Sequence, residues 1–182
     1  MRRRPRPQPR RNPETLLGPR NFFSDRPFTG FDDSLVRLGI RPKPFGLWYG
    51  FGDEWLEWVL REMPHWTARW RHRYRIILDP SRILAIRTSK QLDAFVREHL
   101  APLPEDREQQ WIDWSAVARR HDGFEVAPID DAGCYAFDWC RDMSISSGCV
   151  WNARAILHVQ EVPMPRLPVP AAGNLGPRRE RV

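Results

Sequence analysis

One glutamate and one aromatic run hold the residue types that could do chemistry in this chain. Glu125 stands in the apolar stretch Phe124-Glu125-Val126-Ala127-Pro128, a pattern that predicts a strand. Because side chains alternate along a strand, the carboxylate could simply face solvent. In a cleft with apolar walls, its pKa would shift, and it could act as an acid or base or stabilise a cation. The residue pattern leaves both alternatives open.

The aromatic run, KPFGLWYGFGDEWLEW, extends from Lys43 to Trp58. Glycines interrupt it at positions 46, 50 and 52. Glycine inside a strand usually marks a bulge or a close approach of the backbone to another group. Trp48 and Tyr49 could therefore form a flat wall on which a nucleobase or nicotinamide ring stacks. The alternative is that these aromatic side chains are part of the core.

The positive charge of the chain is concentrated at its two ends. Residues 1–20 carry a net charge of +6 and residues 161–182 carry +2, whereas residues 21–160 carry −2. A body this close to neutral is not itself a nucleic-acid-binding surface by charge. The Arg/Pro-rich arm of residues 1–12 could bind nucleic acid or an acidic protein surface in a salt-sensitive way. A solvated, disordered tail is the alternative for the same residues.

Metal, disulfide and membrane functions find little support in the sequence. The three cysteines form no CxxC pair, and the five histidines form no HxxxH or HExxH pattern. We therefore expect no disulfide framework and no metal site. We expect reduced thiols and an intracellular or virion setting. No apolar run approaches the roughly 20 residues that span a bilayer, and no apolar segment follows the N-terminal arginines as in a secretory signal.

The elements that must position these residues are short strands between separated helices. Strands are predicted at 21–24, 45–51, 72–78, 83–86, 124–128, 134–139 and 149–159, with 83–86 beside 72–78. Three helices are predicted, one after Asp53, one after the capping box at Thr88 and one at 111–120, with 101–110 as a linker. This order is typical of an α+β fold. We expect one compact domain of mostly antiparallel strands at 21–160, with flexible Arg/Pro-rich tails at 1–20 and 161–182.

Four stretches resemble, in matching order, a group of small, largely uncharacterised proteins of tailed phages and their hosts. They are KPFGLWYGFGDEWLEW, HRYRIIL, IDWSAVARRHDGFEVAP and SGCVWNARAI. The likeness covers roughly residues 21–157. It implies a phage-type protein, but the group has no firm activity that could be carried over.

The chain is also distantly similar to ADP-ribosyltransferases. This resemblance implies a split sheet, NAD as the cofactor, and Glu125 as the carboxylate that stabilises an oxocarbenium-like transition state. The residues at the matching NAD-contacting positions are Asn21, Ser24, Gly46, Trp48 and Tyr49. The family's first-strand histidine is missing, because Asn21 or Phe22 occupies its place. The resemblance therefore fits a fold that is kept while the chemistry is lost or altered.

Two functions are consistent with these observations. One is an ADP-ribosyltransferase-like protein, active or catalytically degenerate, that binds NAD or a related nucleotide. The other is a non-enzymatic virion or nucleic-acid-associated protein that binds through its basic arms.

Overall fold

The computed structural model describes residues 18–126 and 146–165. In these residues, strands and helices form a mixed α+β architecture, as the sequence predicts. The strands are β1 (Arg20–Ser24), β2 (Ile40–Arg41), β3 (Leu47–Phe51), β4 (His72–Leu78), β5 (Ile83–Ile86), β6 (Leu100–Pro102), β7 (Gln110–Asp113), β8 (Gly123–Val126), β9 (Ser147–Val150) and β10 (Ile156–Val162). The helices are α1 (Glu54–Glu62), α2 (Pro64–Thr67), α3 (Ser89–His99) and α4 (Trp114–Ala118).

Seven of the strands form one large sheet in the order β10-β4-β1-β3-β9-β8-β5. Its neighbouring strands are antiparallel, apart from the parallel pair β5 and β8. Strands β2, β7 and β6 form a second, antiparallel sheet. The three strands that the sequence predicts for the site, β1, β3 and β8, thus lie close together in the large sheet, with β9 between β3 and β8.

Apolar side chains pack on both faces of the large sheet. Phe22, Tyr49 and Ile76 belong to a buried cluster on one face. Phe124 and Cys149 belong to a second cluster, which packs against α3 and α4 on the other face. Because successive side chains of a strand point to opposite faces, the sheet itself separates the two clusters.

Helix α3 forms where the sequence predicts it. The Thr88 side chain accepts a hydrogen bond from the Gln91 backbone N–H at 3.2 Å and so caps the first turn. Leu92, Phe95 and Val96 are buried, and this spacing places them on the single stripe that faces the sheet.

No helix in residues 18–126 and 146–165 is both long and apolar enough to cross a bilayer.

Helix α1 follows β3 after a tight turn at Gly52, whose φ of 56° favours glycine. Asp53 occupies the N-cap position, but its side chain makes no capping hydrogen bond. It forms an ion pair with Arg73 of β4 instead. Leu56 and Val59 are the buried residues of α1.

The sequence prediction is wrong for the middle of the chain. The sequence predicts a linker at 101–110 and a helix at 111–120, but β6 and β7 pair with each other and the helix is limited to Trp114–Ala118. Strand β7 also pairs with β2, about 70 residues earlier in the chain. Such non-local backbone hydrogen bonds override the local helical pattern.

Three further expectations are wrong, and a fourth lies outside the described residues. Strand β5 pairs with β8 and not with β4, whose neighbours are β1 and β10. The expected strand at 149–159 is two strands, β9 and β10, because a 3-10 turn at Ala153–Ala155 separates them. Helix α2 adds a fourth helix to the three expected, and it starts at Pro64, a residue suited to a first turn. The expected strand at 134–139 lies outside the described residues.

Candidate functional site

Glu125 lies near the end of β8 and is buried in the large sheet. Its exposed fraction is 2%, which excludes the solvent-facing alternative. It pairs with Gly148 of β9, which in turn pairs with Tyr49 of β3. The side chains of Glu125 and Tyr49 therefore point to the same face of the sheet, on either side of a residue that has no side chain.

Three side chains donate hydrogen bonds to the Glu125 carboxylate. Arg20 makes a two-pronged ion pair, with Nε at 2.8 Å from Oε2 and Nη2 at 2.9 Å from Oε1. The Tyr49 hydroxyl donates to Oε2 at 2.9 Å. Arg87, which directly follows β5, donates through Nη2 to Oε1. We call these four side chains the Glu125 cluster.

Gly148 makes this arrangement geometrically feasible. A Cβ atom at this position would lie closer than 3.0 Å to Tyr49 Oη and Cζ. It would also lie 2.7 Å from the backbone carbonyl oxygen of Phe124. The missing side chain thus leaves the space in which the Tyr49 ring reaches across β9 to Glu125.

The cluster contains two guanidinium groups but a single carboxylate, so it carries one excess positive charge at neutral pH. The side chains of Arg20 and Arg87 are 23% and 21% exposed, so both reach the surface. Both guanidinium groups also lie over the Phe51 ring, with Cζ 5.5 Å and 5.8 Å from its centroid. Arg87 Nη1 is buried and has no hydrogen-bond partner among the described residues.

The pKa shifts in the cluster follow from burial and from these contacts. Burial alone would raise the pKa of Glu125, but the hydrogen bond and charge of Arg20, the charge of Arg87 and the Tyr49 hydroxyl outweigh it, so the pKa is lowered. Burial, and next the Glu125 charge, raise the pKa of Tyr49 well above its ordinary value. Burial would lower the pKa of Arg20, but its contacts with Glu125 raise it. The carboxylate is therefore ionised and the phenol neutral at pH 7.

The predicted cofactor-binding residues do not all share this site. Trp48 points to the opposite face from Tyr49, because the two are neighbours on one strand. Its ring packs edge-on against Phe124 with centroids 5.8 Å apart, and its Nε1 donates to the Pro44 carbonyl at 3.1 Å. Tyr49 is fully buried. Trp48 and Tyr49 therefore do not form one stacking wall.

The remaining predicted residues have structural contacts. Asn21 is buried and donates through Nδ2 to the Gly52 carbonyl at 2.7 Å. The Ser24 hydroxyl accepts a hydrogen bond from the Arg26 backbone N–H at the far end of β1. A Cβ on Gly46 would lie 3.0 Å from Cys149 Sγ and even closer to the backbone behind it. Of the predicted set, the structure brings together Tyr49 and Glu125.

Sequence reasoning missed the two arginines. The sequence predicts that Arg20 belongs to the flexible tail of residues 1–20, but it is the first residue of β1. Arg87 follows Ile83–Ile86 in a strand alternation that places it on the same face as Ala85, the register partner of Glu125. This alternation could have identified Arg87 as a neighbour of Glu125, but only if the pairing of β5 with β8 were known.

No group of three or more His, Cys, Asp or Glu side chains in residues 18–126 and 146–165 could hold a metal ion.

The comparisons with known proteins do not place the chain in a family. No protein-family model, no curated protein and no solved structure matches it.

Proposed function

We propose that this protein binds a nucleotide of the NAD type through Arg20 and Arg87, with Glu125 as the carboxylate of a transferase-like site. The observation that carries this proposal is the direct hydrogen bond between Tyr49 and Glu125. The resemblance to ADP-ribosyltransferases assigns these two residues to separate motifs, 76 positions apart in the chain. The contact between Tyr49 and Glu125 supports a transferase-like site.

The chemistry of the Glu125 cluster suits a phosphate-bearing ligand. Guanidinium groups match the geometry of phosphate oxygens and bind them with paired hydrogen bonds. Two of them face one carboxylate, so one positive charge remains for a ligand. The partly exposed side chains of Arg20 and Arg87 supply the donors.

Burial of such a cluster is costly, which also supports a functional role. Replacing a buried ion pair by well-packed apolar residues is often neutral or stabilising by about 1–4 kcal/mol. An ion cluster of three charged side chains and a buried phenol is therefore a poor choice for stability alone. Strongly perturbed titratable groups of this kind concentrate at functional sites.

In the proposed mechanism, the ligand competes with Glu125 for the two arginines. While both guanidinium groups are bound to it, the carboxylate is neutralised and cannot stabilise a developing cation. A phosphate that takes over Arg87 restores the negative charge of Glu125 beside the ligand. Because Asn21 or Phe22 stands where the family has histidine, we propose binding as the main activity and weak or absent transfer.

The experiment is isothermal titration calorimetry of the full chain with NAD, ADP and inorganic pyrophosphate. Arg87→Gln should weaken binding by about tenfold or more, since a charge-assisted hydrogen bond contributes roughly 1.5–3 kcal/mol. Arg97→Gln, at an exposed position of α3, is the matched control and should bind like the wild type. Wild-type protein that binds none of the three ligands at millimolar concentration would overturn the proposal.

The location of the charge favours a second candidate, a virion or nucleic-acid-associated protein that binds through its arm. Residues 1–20 hold seven arginines and one glutamate. A protein in which residues 1–12 are deleted should lose most of its affinity for nucleic acid or an acidic protein, and wild-type affinity should fall steeply with salt. Binding that is insensitive to salt, or that survives the deletion, would contradict this candidate.

A further inference from the structure

A concave surface lies on the face of the large sheet opposite to Glu125. It encloses about 690 Å³ and is lined by Phe23, Ser24, Asp25, His65, Trp66, Arg69 and Trp70. We call it the Trp66 groove. Phe23 follows Phe22 in β1, and Phe22 belongs to the cluster on the Tyr49 face, so the groove and the Glu125 cluster are separated by the sheet. Its volume is in the range of small-molecule sites.

The floor of the Trp66 groove is a packed set of aromatic rings. Phe23 and Trp70 stack with centroids 4.5 Å apart and an interplanar angle of 16°. Trp55 supports both rings, at 5.8 Å from Trp70 and 6.3 Å from Phe23. Trp66, in contrast, is 43% exposed at the edge of the groove. An exposed indole ring at the edge of such a groove is a surface on which a planar ring can stack.

The segment that builds the groove is strongly basic. Residues 61–75 contain five arginines and one glutamate, a net charge of +4, although the body of the chain as a whole is near neutral. Arg69 lines the groove and is exposed, and Arg75 is exposed on β4. Arg75 lies on the same face of the sheet as Arg73, because the two are separated by one residue of β4. The Cζ atom of Arg73 lies over the Phe23 ring, 5.8 Å from its centroid. The cations therefore continue from the groove along the sheet.

The acidic groups nearby offset part of this positive charge, but Arg69 and Arg75 form no ion pair within residues 18–126 and 146–165. Asp53 is paired with Arg73, and Glu161 lies 2.7 Å from His72. Asp25 is the acidic residue that lines the groove itself. A carboxylate in this position can accept a hydrogen bond from the amino group of a base.

We propose that the Trp66 groove binds single-stranded nucleic acid, with one base stacked on Trp66 and the phosphates of the strand held by Arg69 and Arg75. Exposed aromatic rings beside a line of cations are the combination that binds single strands, because every base has a flat face and every linkage has a charge. A duplex hides its base faces and should bind less well. The proposal goes beyond the arm of residues 1–12 and does not rest on the nucleotide site.

The test measures binding of the full chain to a fluorescein-labelled ten-nucleotide oligo-dT by fluorescence anisotropy. Trp66→Ala should weaken binding by about tenfold, the loss expected for one stacked base. Arg69→Gln should weaken it and reduce the slope of log affinity against log salt by about one. Phe45→Ala is the matched control, because Phe45 is another exposed aromatic residue, 58% exposed, with Arg41 over its ring.

A full-length variant separates the groove from the arm. Replacing the six arginines of residues 1–11 by glutamine removes the charge of the arm. The proposal predicts that Trp66→Ala still weakens binding about tenfold in this background. It is overturned if Trp66→Ala and Arg69→Gln both bind like the wild type, if a duplex binds as tightly as the single strand, or if the wild type does not bind at low salt.

Discussion

Replacement of Gly148 by alanine tests how the Glu125 cluster is assembled. Gly148 has no positive φ, so its backbone would accept any residue. At an unobstructed position of this kind, Gly→Ala stabilises a protein by about 0.4–1 kcal/mol through the unfolded chain. Here the added Cβ would lie 2.7 Å from the Phe124 carbonyl oxygen and closer than 3.0 Å to two atoms of Tyr49. We therefore expect the opposite sign.

The expected loss combines two effects. Overpacking a buried site costs roughly 1–3 kcal/mol. Neither neighbour can move away easily, because Tyr49 is fully buried and the Phe124 oxygen belongs to the adjacent strand. Displacement of the Tyr49 hydroxyl from Glu125 would also remove a hydrogen bond to a charged group, which contributes about 1.5–3 kcal/mol. Gly148→Ala should therefore lower the free energy of unfolding by roughly 3–5 kcal/mol.

The assay is urea unfolding followed by tryptophan fluorescence, for which the chain has nine tryptophans. Ser147→Ala, in the same strand, is the control and should stay within about 0.5 kcal/mol of the wild type. Tyr49→Phe combined with Gly148→Ala should cost less than the sum of the two single changes, because the hydrogen bond is lost once. A Gly148→Ala protein as stable as the wild type would refute the packing described across β9.

Three other predictions concern the charge of Glu125, the packing of Gly50 and the burial of Cys149. Glu125→Gln should lower the free energy of unfolding at pH 7 by about 2–4 kcal/mol, because two guanidinium groups lose their counter-charge. The pKa of Glu125 is lowered in the folded protein, so the extra stability of the wild type over Glu125→Gln is fully present above the unfolded pKa of about 4.3. Urea unfolding at decreasing pH should show that this difference in stability disappears as the pH falls through the folded pKa. Gly50→Ala should cost roughly 1–3 kcal/mol in the same assay, because its Cβ would lie 2.7 Å from Trp55 Cβ; an unchanged midpoint would contradict this. Burial raises the pKa of the Cys149 thiol well above its usual range, so peptide mapping should find it alkylated by iodoacetamide only after unfolding.

The parts of the fold that the sequence predicts well are those specified by local signals. Helix α3 follows from the cap at Thr88 and the apolar stripe from Leu92 to Val96. Strand β4 occupies the predicted residues 72–78. The errors concern elements fixed by distant partners. Strand β7 exists because β2 and β6 pair with it, and the position of β5 depends on β8, which lies about 40 residues later.

The candidate site divides in the same way. Strand alternation alone places Trp48 and Tyr49 on opposite faces, so the sequence already argued against a shared wall. The burial of Glu125 was not predictable locally, because its counter-charges come from Arg20 and Arg87. A pairing of side chains 105 positions apart leaves no trace in local composition. The glycine pattern did indicate close backbone approaches, and Gly46 and Gly50 confirm them.

The affinity of the full chain for ADP in wild type, Arg87→Gln and Glu125→Gln tests the central claim most directly. If the ligand phosphates compete with Glu125 for the two arginines, Arg87→Gln should weaken ADP binding while Glu125→Gln should tighten it, because glutamine no longer neutralises the guanidinium charge. Isothermal titration calorimetry at low salt, with folding of each variant checked by near-UV circular dichroism, gives the three affinities. Equal affinities in all three folded proteins would contradict the account, because the Glu125 cluster would then not hold the ligand.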